Sequence, residues 1–227
     1  MKKKMNYGLC IAASTVMLFS CSNMNKTQKG AVIGTAGGAA AGAVIGKAAG
    51  NTALGAIIGA AVGGGAGAVI GHQMDKQAEE MKQSIPEAKV ERVGEGIVVE
   101  FTEKILFAFN KSDLSVAAMS NLDKAINVFK KYPNTNIEVQ GHTDSKGSEN
   151  YNMRLSNERA VNVKNYLQRN GVASSRLTVK AFGESAPKYD NNTEEGQAQN
   201  RRVEFLITAN EKMKEEASKA SADSTGK

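Results

Sequence analysis

Glycines at every fourth residue constrain the N-terminal third of this chain more than any other feature. They form two runs, Gly30 to Gly50 and Gly55 to Gly71, which are separated by four other residues. In water, glycine inside a helix costs about 1 kcal/mol relative to alanine. In a bilayer, small residues four apart let two helix backbones pack closely. The four-residue spacing of the glycines therefore predicts helices that pack closely against each other in lipid.

The two glycine runs have lengths suited to a bilayer. At about 1.5 Å per residue, they span roughly 31 Å and 26 Å, near the bilayer core thickness of about 30 Å. Lys47 is the one formally charged residue in the segment. We predict a glycine-zipper membrane hairpin over residues 30–71, which can also associate with other copies. Large apolar residues are few there, so a flexible Gly/Ala linker is the alternative.

The first residues have the layout of a secretory signal. Three lysines precede a short apolar stretch, and Ser20 and Cys21 follow it. The motif Leu18 to Cys21 resembles a bacterial lipobox, which predicts a lipoprotein signal peptide over residues 1–20 and acylation, including palmitate, at Cys21. A plain signal peptide with an incidental cysteine is the alternative. Acyl chains would anchor the mature chain to a lipid bilayer, and residues 21–29 would be a tether.

The charged segments flank one domain. Residues 72–88 are charged and helix-prone, which predicts a helical linker whose helix ends at Pro86. Residues 209–227 are charged and lack large apolar groups, which predicts a disordered tail. The net charge of +6 includes three lysines of the signal. The remainder is too weak and too evenly spread to indicate a nucleic-acid partner.

Residues 89–208 alternate between strand and helix patterns. Ile97, Val99 and Phe101 recur at strand spacing, and Leu122, Ile126 and Phe129 recur at helical spacing. Ser112 or Asp113 is placed to cap that helix. A second helix is expected from Arg154 to Arg169, ending at Asn170-Gly171. The order of these elements predicts an α+β layer with two main helices packed on one sheet.

Three stretches carry a specific family resemblance: ILFAFNKSDL at 105–114, GHTDSKGSENYNMRLSNERAVNVKNYLQRNGV at 141–172, and FGESAPKYDNNTEEGQAQNRRVEF at 182–205. They resemble the OmpA-like domains. With the lipobox and the zipper, the chain resembles the glycine-zipper lipoproteins of that family. The resemblance implies a βαβαβ fold on a mixed sheet and a non-catalytic domain that grips peptidoglycan through diaminopimelate, with no cofactor or metal.

The resemblance also implies a set of site residues. Diaminopimelate presents an ammonium and a carboxylate on one carbon, so a carboxylate and a bidentate donor suit it. Asp144 and Arg159 match the family's ligand clamp. Asn152 and Arg202 match positions that frame the pocket, with Arg202 expected to brace Asp144, and Thr143, Leu155 and Asn200 are expected wall residues. Taken alone, Asp144 is as readily interpreted as a turn cap as a ligand-binding residue, and Arg159 is interpreted as a surface ion-pair partner.

The alternatives concern the membrane segment and catalysis. Ser22 after Cys21 favours the outer membrane, with the domain facing the periplasm. An oligomeric pore or a stator-like component anchored to the wall is the second function, although residues 30–71 contain no carboxylate for proton flow. No HExxH, GxSxG or Cys/His pair indicates a wall-cleaving enzyme.

Overall fold

The computed structural model describes residues 65–107 and 111–225. The predicted signal peptide, Cys21, the tether and the zipper up to Gly64 lie outside these residues. The described strands are β1 Lys89–Val93, β2 Gly96–Thr102, β3 Thr135–His142, β4 Leu177–Gly183 and β5 Arg202–Ala209. The described helices are α1 Gly65–Ser84, α2 Glu103–Leu106, α3 Val116–Lys131, α4 Glu149–Arg169, α5 Glu194–Asn200 and α6 Glu211–Thr225. None of these helices combines the length and the apolar character that crossing a bilayer requires.

The five strands form one mixed sheet in the order β1-β2-β5-β3-β4. The pairs β1/β2, β2/β5 and β5/β3 are antiparallel, and β3/β4 is parallel. The parallel strands β3 and β4 are connected through α4, since parallel neighbours need a crossover connection, usually a helix. The predicted α+β class with a mixed sheet is confirmed.

Strand alternation sets which face of the sheet is apolar. On β2, Ile97, Val99 and Phe101 point to the helices and are fully buried. The Phe101 ring lies 5.1 Å from the Phe205 ring on β5, and Phe129 of α3 lies 5.8 Å from Phe205. Helix α4 packs on β3 and β4. The two main helices therefore cover one face of the sheet, as predicted.

The ends of the two main helices follow capping chemistry. The Ser115 Oγ accepts a hydrogen bond from the Ala118 amide, so α3 begins after Ser115 and not after Ser112 or Asp113. Helix α4 begins at Glu149, ahead of the predicted Arg154, because Ser148 caps it. It ends at Arg169 with Asn170 as its C-cap, and Gly171 has a φ of +96°, a conformation that favours glycine.

The tail and the linker differ from the sequence-based expectations. Residues 211–225 form α6, so the prediction of a disordered tail over 209–227 is wrong. Helix α6 packs along α1 and buries Met213 and Ala217, which lie four residues apart on one helix face. The helical prediction for residues 72–88 is correct up to Ser84, but α1 starts within the zipper at Gly65 and contributes to the domain core.

Candidate functional site

A pocket opens where β3 ends and α4 begins. Its volume is about 200 Å³. The carboxyl ends of parallel strands are the usual place for ligand crevices in sheets of this kind. The lining side chains come from four separate parts of the chain: Glu103, Thr143, Asp144, Lys146, Tyr151, Asn152, Leu155, Arg159 and Arg201.

The loop after β3 holds Asp144 in one position. The Thr143 amide donates to the Gly183 carbonyl at 2.9 Å, which ties the loop to the end of β4. The Asp144 Oδ1 accepts from the Lys146 amide at 3.0 Å. The Asn152 Nδ2 donates to the Asp144 carbonyl at 3.3 Å. The Asp144 side chain is only 7% exposed, so its negative charge is directed into the pocket and not into bulk water.

Helix α4 presents one face to this loop. Asn152, Leu155 and Arg159 are spaced three and four residues apart, so they share that face. Arg159 is 2% exposed, and its guanidinium lies 5.1 Å from the centre of the Phe107 ring. The Arg159 Nε donates to the Lys111 carbonyl at 3.1 Å, and its Nη2 pairs with Glu103. These contacts fix the guanidinium at the pocket wall.

Two further side chains connect Arg159 to Asp144. The Arg201 Nε lies 2.6 Å from the Glu103 Oε2, and the Arg201 Nη1 lies 2.6 Å from the Asp144 Oδ2. Burial lowers the pKa of Arg201, but hydrogen bonds to Asp144 and Glu103 outweigh burial and raise the pKa overall. Positive and negative charges therefore alternate along Arg159, Glu103, Arg201 and Asp144. Lys146 adds a third cation, so three cations and two anions line the pocket.

Most of the predicted site residues come together at this pocket. The structure places these five on its wall: Thr143, Asp144, Asn152, Leu155 and Arg159. The other two predicted residues, Asn200 and Arg202, do not line it. Cys21 lies outside the described residues.

Arg202 faces away from Asp144. Its Nε lies 2.6 Å from the Glu204 Oε1, and its Nη2 donates to the Ala186 carbonyl at 3.3 Å. Consecutive residues at the start of a strand point to opposite faces of the sheet. Arg201 consequently points to the pocket and Arg202 to the other face. The expectation that Arg202 braces Asp144 is wrong, and Arg201 makes that contact.

Asn200 stabilises a loop and not the pocket. Its Oδ1 accepts from the Lys188 and Tyr189 amides at 3.0 Å each. Its Nδ2 donates to the Tyr189 carbonyl and to the Asn191 Oδ1, each at 2.8 Å. All of its amide capacity is used inside the protein, which is why it is fully buried.

Sequence reasoning missed Glu103, Lys146, Tyr151 and Arg201. Two of these had a signal, because Arg201 stands beside Arg202 in the NRR motif and Tyr151 stands beside Asn152. Glu103 had none, since it follows a strand in a stretch that reads as ordinary surface. Across residues 65–107 and 111–225, no three His, Cys, Asp or Glu side chains are grouped as metal ligands.

Comparisons with known proteins agree with this architecture. Residues 106–201 match the model of the OmpA family, and residues 1–75 match the YMGG-like Gly-zipper. Outer membrane porin F of Pseudomonas fluorescens is 44% identical over 112 residues, which are 49% of this chain and 34% of the porin. The peptidoglycan-associated lipoprotein of Legionella pneumophila is 34% identical over 104 residues, 46% of this chain and 59% of the lipoprotein.

A solved structure shows the same fold. A MotB-like protein of Desulfovibrio vulgaris superimposes with a TM-score of 0.57 at 26% identity, covering 62% of this chain and 93% of that protein. The chain spans less than two thirds of the length of the two curated relatives. The family model covers the segment from Leu106, the last residue of α2, through Arg201, and this segment contains every residue of the pocket except Glu103. The chain therefore contains an OmpA-like domain, matched over residues 106–201, and its N-terminal third matches a YMGG-like Gly-zipper.

Proposed function

We propose that this chain is a non-catalytic envelope protein that binds peptidoglycan and holds a membrane to the cell wall. The match of residues 106–201 to the OmpA family supports a binding module and not an enzyme. The name of the Legionella relative, a peptidoglycan-associated lipoprotein, supports the choice of ligand. The observation that carries the proposal is a small pocket in which a buried carboxylate and a buried guanidinium share one wall.

The ligand group we propose is the free end of diaminopimelate in the peptide stem. Its ammonium would pair with Asp144, and its carboxylate would pair with Arg159. Both protein groups are largely removed from water, where a charge-assisted hydrogen bond is stronger than at an open surface. Leu155 and Tyr151 supply apolar wall for the methylene chain that joins the two ends of diaminopimelate.

The membrane side of the proposal rests on residues outside the described ranges. Acyl chains on Cys21 and the zipper residues ahead of α1, 30–64, would hold the lipid bilayer, and the zipper would also join copies of the chain; the predicted end of the hairpin at Gly71 is too late, because Ala66 and Ile70 are buried in the domain core. The name of the Pseudomonas relative, an outer membrane porin, supports the outer membrane as the location, with the domain in the periplasm. Helix α1 leaves the zipper directly and packs into the domain. The domain would therefore sit close to the membrane surface.

Co-sedimentation with purified peptidoglycan tests the function. The full chain in detergent is mixed with diaminopimelate-type or lysine-type peptidoglycan, and a sample without peptidoglycan corrects for self-association. We expect the chain to pellet with the diaminopimelate type, and the lysine type to capture much less because it lacks the second carboxylate.

Two conservative variants test whether this pocket is the binding site. Asp144→Asn and Arg159→Lys keep most of the volume of each side chain, and each should lose at least about tenfold in affinity, since a charge-assisted pair to a buried group contributes about 1.5–3 kcal/mol. Asp223→Asn on α6 is the matched control, because Asp223 does not line the pocket. If both site variants pelleted as well as the Asp223→Asn control, the proposed pocket would be wrong.

A further inference from the structure

The side chain of Arg201 occupies a cation position between two carboxylates. Its guanidinium bridges the Glu103 Oε2 and the Asp144 Oδ2 at 2.6 Å each. The Asp144 and Glu103 side chains are 7% and 10% exposed, whereas the Arg201 side chain is 28% exposed. The two anions thus belong to the interior of the pocket, and the cation that neutralises them lies nearer to its mouth.

Two nearby buried carboxylates need a counter-ion. Like charges in such a place raise the free energy of the folded chain unless a cation or a proton offsets them. Glu103 also pairs with Arg159 through its Oε1, so the site already holds one fixed cation on its inner side. The guanidinium of Arg201, between Glu103 and Asp144, is the second cation that offsets these two carboxylates.

The backbone of Arg201 is held independently of its side chain. The Arg201 amide donates to the Gln197 carbonyl at 3.1 Å, and the Arg201 carbonyl accepts from the Glu103 amide at 2.7 Å. These bonds join the end of α5 to the start of α2 independently of the guanidinium. Arginine has many rotamers of similar energy, so a partly exposed guanidinium can move into solvent without disturbing the backbone.

We propose that Arg201 is a resident counter-ion which the ammonium group of the ligand displaces. This inference rests on the proposed function and adds a requirement to it. The ligand ammonium takes the place of the guanidinium between Asp144 and Glu103, and Arg201 turns to solvent. Binding is then an exchange of one cation for another. A ligand whose amine is blocked cannot drive the exchange and leaves Arg201 in place.

Calorimetry with a soluble probe tests the exchange. The probe is a diaminopimelate-containing stem peptide with a free amino group, and its N-acetylated form is the matched ligand. The full chain in detergent should bind the free amine and not the acetylated form. Arg201→Gln removes the resident cation and should tighten binding of the free amine about two- to fivefold, the range expected from losing one partly exposed ion-pair competitor.

The controls separate this inference from the proposed function. Arg169→Gln removes an arginine from the far end of α4 and should leave the affinity unchanged. Arg201→Lys keeps the charge and should show no gain. If the wild-type chain bound neither peptide, the proposed function would fail and the inference with it. If it bound the free amine but Arg201→Gln weakened binding or left it unchanged, only the displacement of Arg201 would be wrong.

A measurement on the wild-type chain covers the case in which Arg201→Gln does not fold. The Nε–H resonance of Arg201 reports on its bond to Glu103. On saturation with the free-amine peptide, this resonance should move to the position typical of a solvent-exposed arginine, while the Nε–H resonance of Arg159 stays shifted. An Arg201 signal that does not move at saturation would overturn the proposal.

Discussion

The carbonyl oxygen of Ser156 on α4 lies against Gly141 on β3, so closely that a Cβ added at Gly141 would sit 2.0 Å from that oxygen. The same Cβ would be 2.8 Å from the Ser156 carbonyl carbon. Because both neighbours are backbone atoms of a helix, they have no side-chain rotamer that could give way. The glycine sets the distance between the strand that ends at the Asp144 loop and the helix that carries Arg159.

Gly141→Ala should therefore destabilise the chain by about 1–3 kcal/mol, the usual cost of overpacking a filled interior. Denaturant unfolding of the full chain in detergent measures the loss. Gly71→Ala is the matched control, since a Cβ at that position in α1 meets no atom within 4 Å. That change should stabilise the helix by about 0.5–1 kcal/mol. Equal midpoints for the two variants would contradict the close approach of β3 and α4.

The packing of α6 on α1 makes a second prediction. Met213 is 2% exposed, and the Asn134 Nδ2 donates to the Glu216 Oε2 on the same helix at 2.9 Å. Met213→Ala should cost about 2–4 kcal/mol in the free energy of unfolding, because it leaves a cavity between two helices and the sheet. Lys212→Ala, on the exposed side of α6, should change it by less than about 0.5 kcal/mol. Similar losses in both variants would mean that α6 does not pack as described.

Which parts of this structure were predictable depends on where their causes lie. The alternation of apolar residues in β2 and the glycine that follows α4 after Asn170 are local signals, and the sequence alone predicts both features. Helix α6 was missed because its partner, α1, lies more than 120 residues away. One methionine and one alanine make a stripe too weak to be seen without that partner.

The site divides in the same way. The spacing of Asn152, Leu155 and Arg159 on one helix face follows from helical periodicity, and the family motif supplied Asp144. Whether Arg201 or Arg202 faces the pocket depends on the residue at which β5 begins. A shift of one residue exchanges the two faces of a strand, and the boundary of a strand is not determined by the residues of that strand alone.

Arg176 makes a third prediction, at the end of α3. Its guanidinium donates to the Phe129, Tyr132 and Thr135 carbonyls at 2.9, 3.0 and 2.7 Å. The last carbonyls of a helix lack partners within the helix, and Arg176 supplies donors to the Phe129 and Tyr132 carbonyls at the end of α3. Arg176→Lys keeps the charge but cannot reach all three carbonyls, and it should cost about 1–3 kcal/mol in denaturant unfolding. Arg169→Lys, at an exposed position, is the control, and a loss there as large as at residue 176 would contradict this role.

A buried histidine lies on the face of the sheet opposite the helices. His142 is fully buried and stacks on Phe182, with ring centres 4.9 Å apart and planes 5° apart. The Ala186 backbone lies near the ring, but neither ring nitrogen reaches a partner with hydrogen-bond geometry. Burial, and then the positive charges of Arg202 and Lys188, hold the pKa of His142 well below its ordinary value. The Glu204 carboxylate, which pairs with Arg202, belongs to the same face.

The direction of this pKa shift fixes how stability depends on pH. His142 is neutral in the folded chain, whereas in the unfolded chain it takes up a proton as the pH falls below about 6.5. The unfolded state then binds more protons, so the free energy of unfolding should fall below that pH by up to about 1.4 kcal/mol per unit. Denaturation midpoints between pH 7.5 and 5 measure this slope in the wild-type chain and in His142→Phe, which cannot titrate at that position. The free energy of unfolding of the wild type minus that of His142→Phe should be constant above about pH 7 and should fall steadily below it, and parallel curves throughout would show that His142 does not titrate differently on folding.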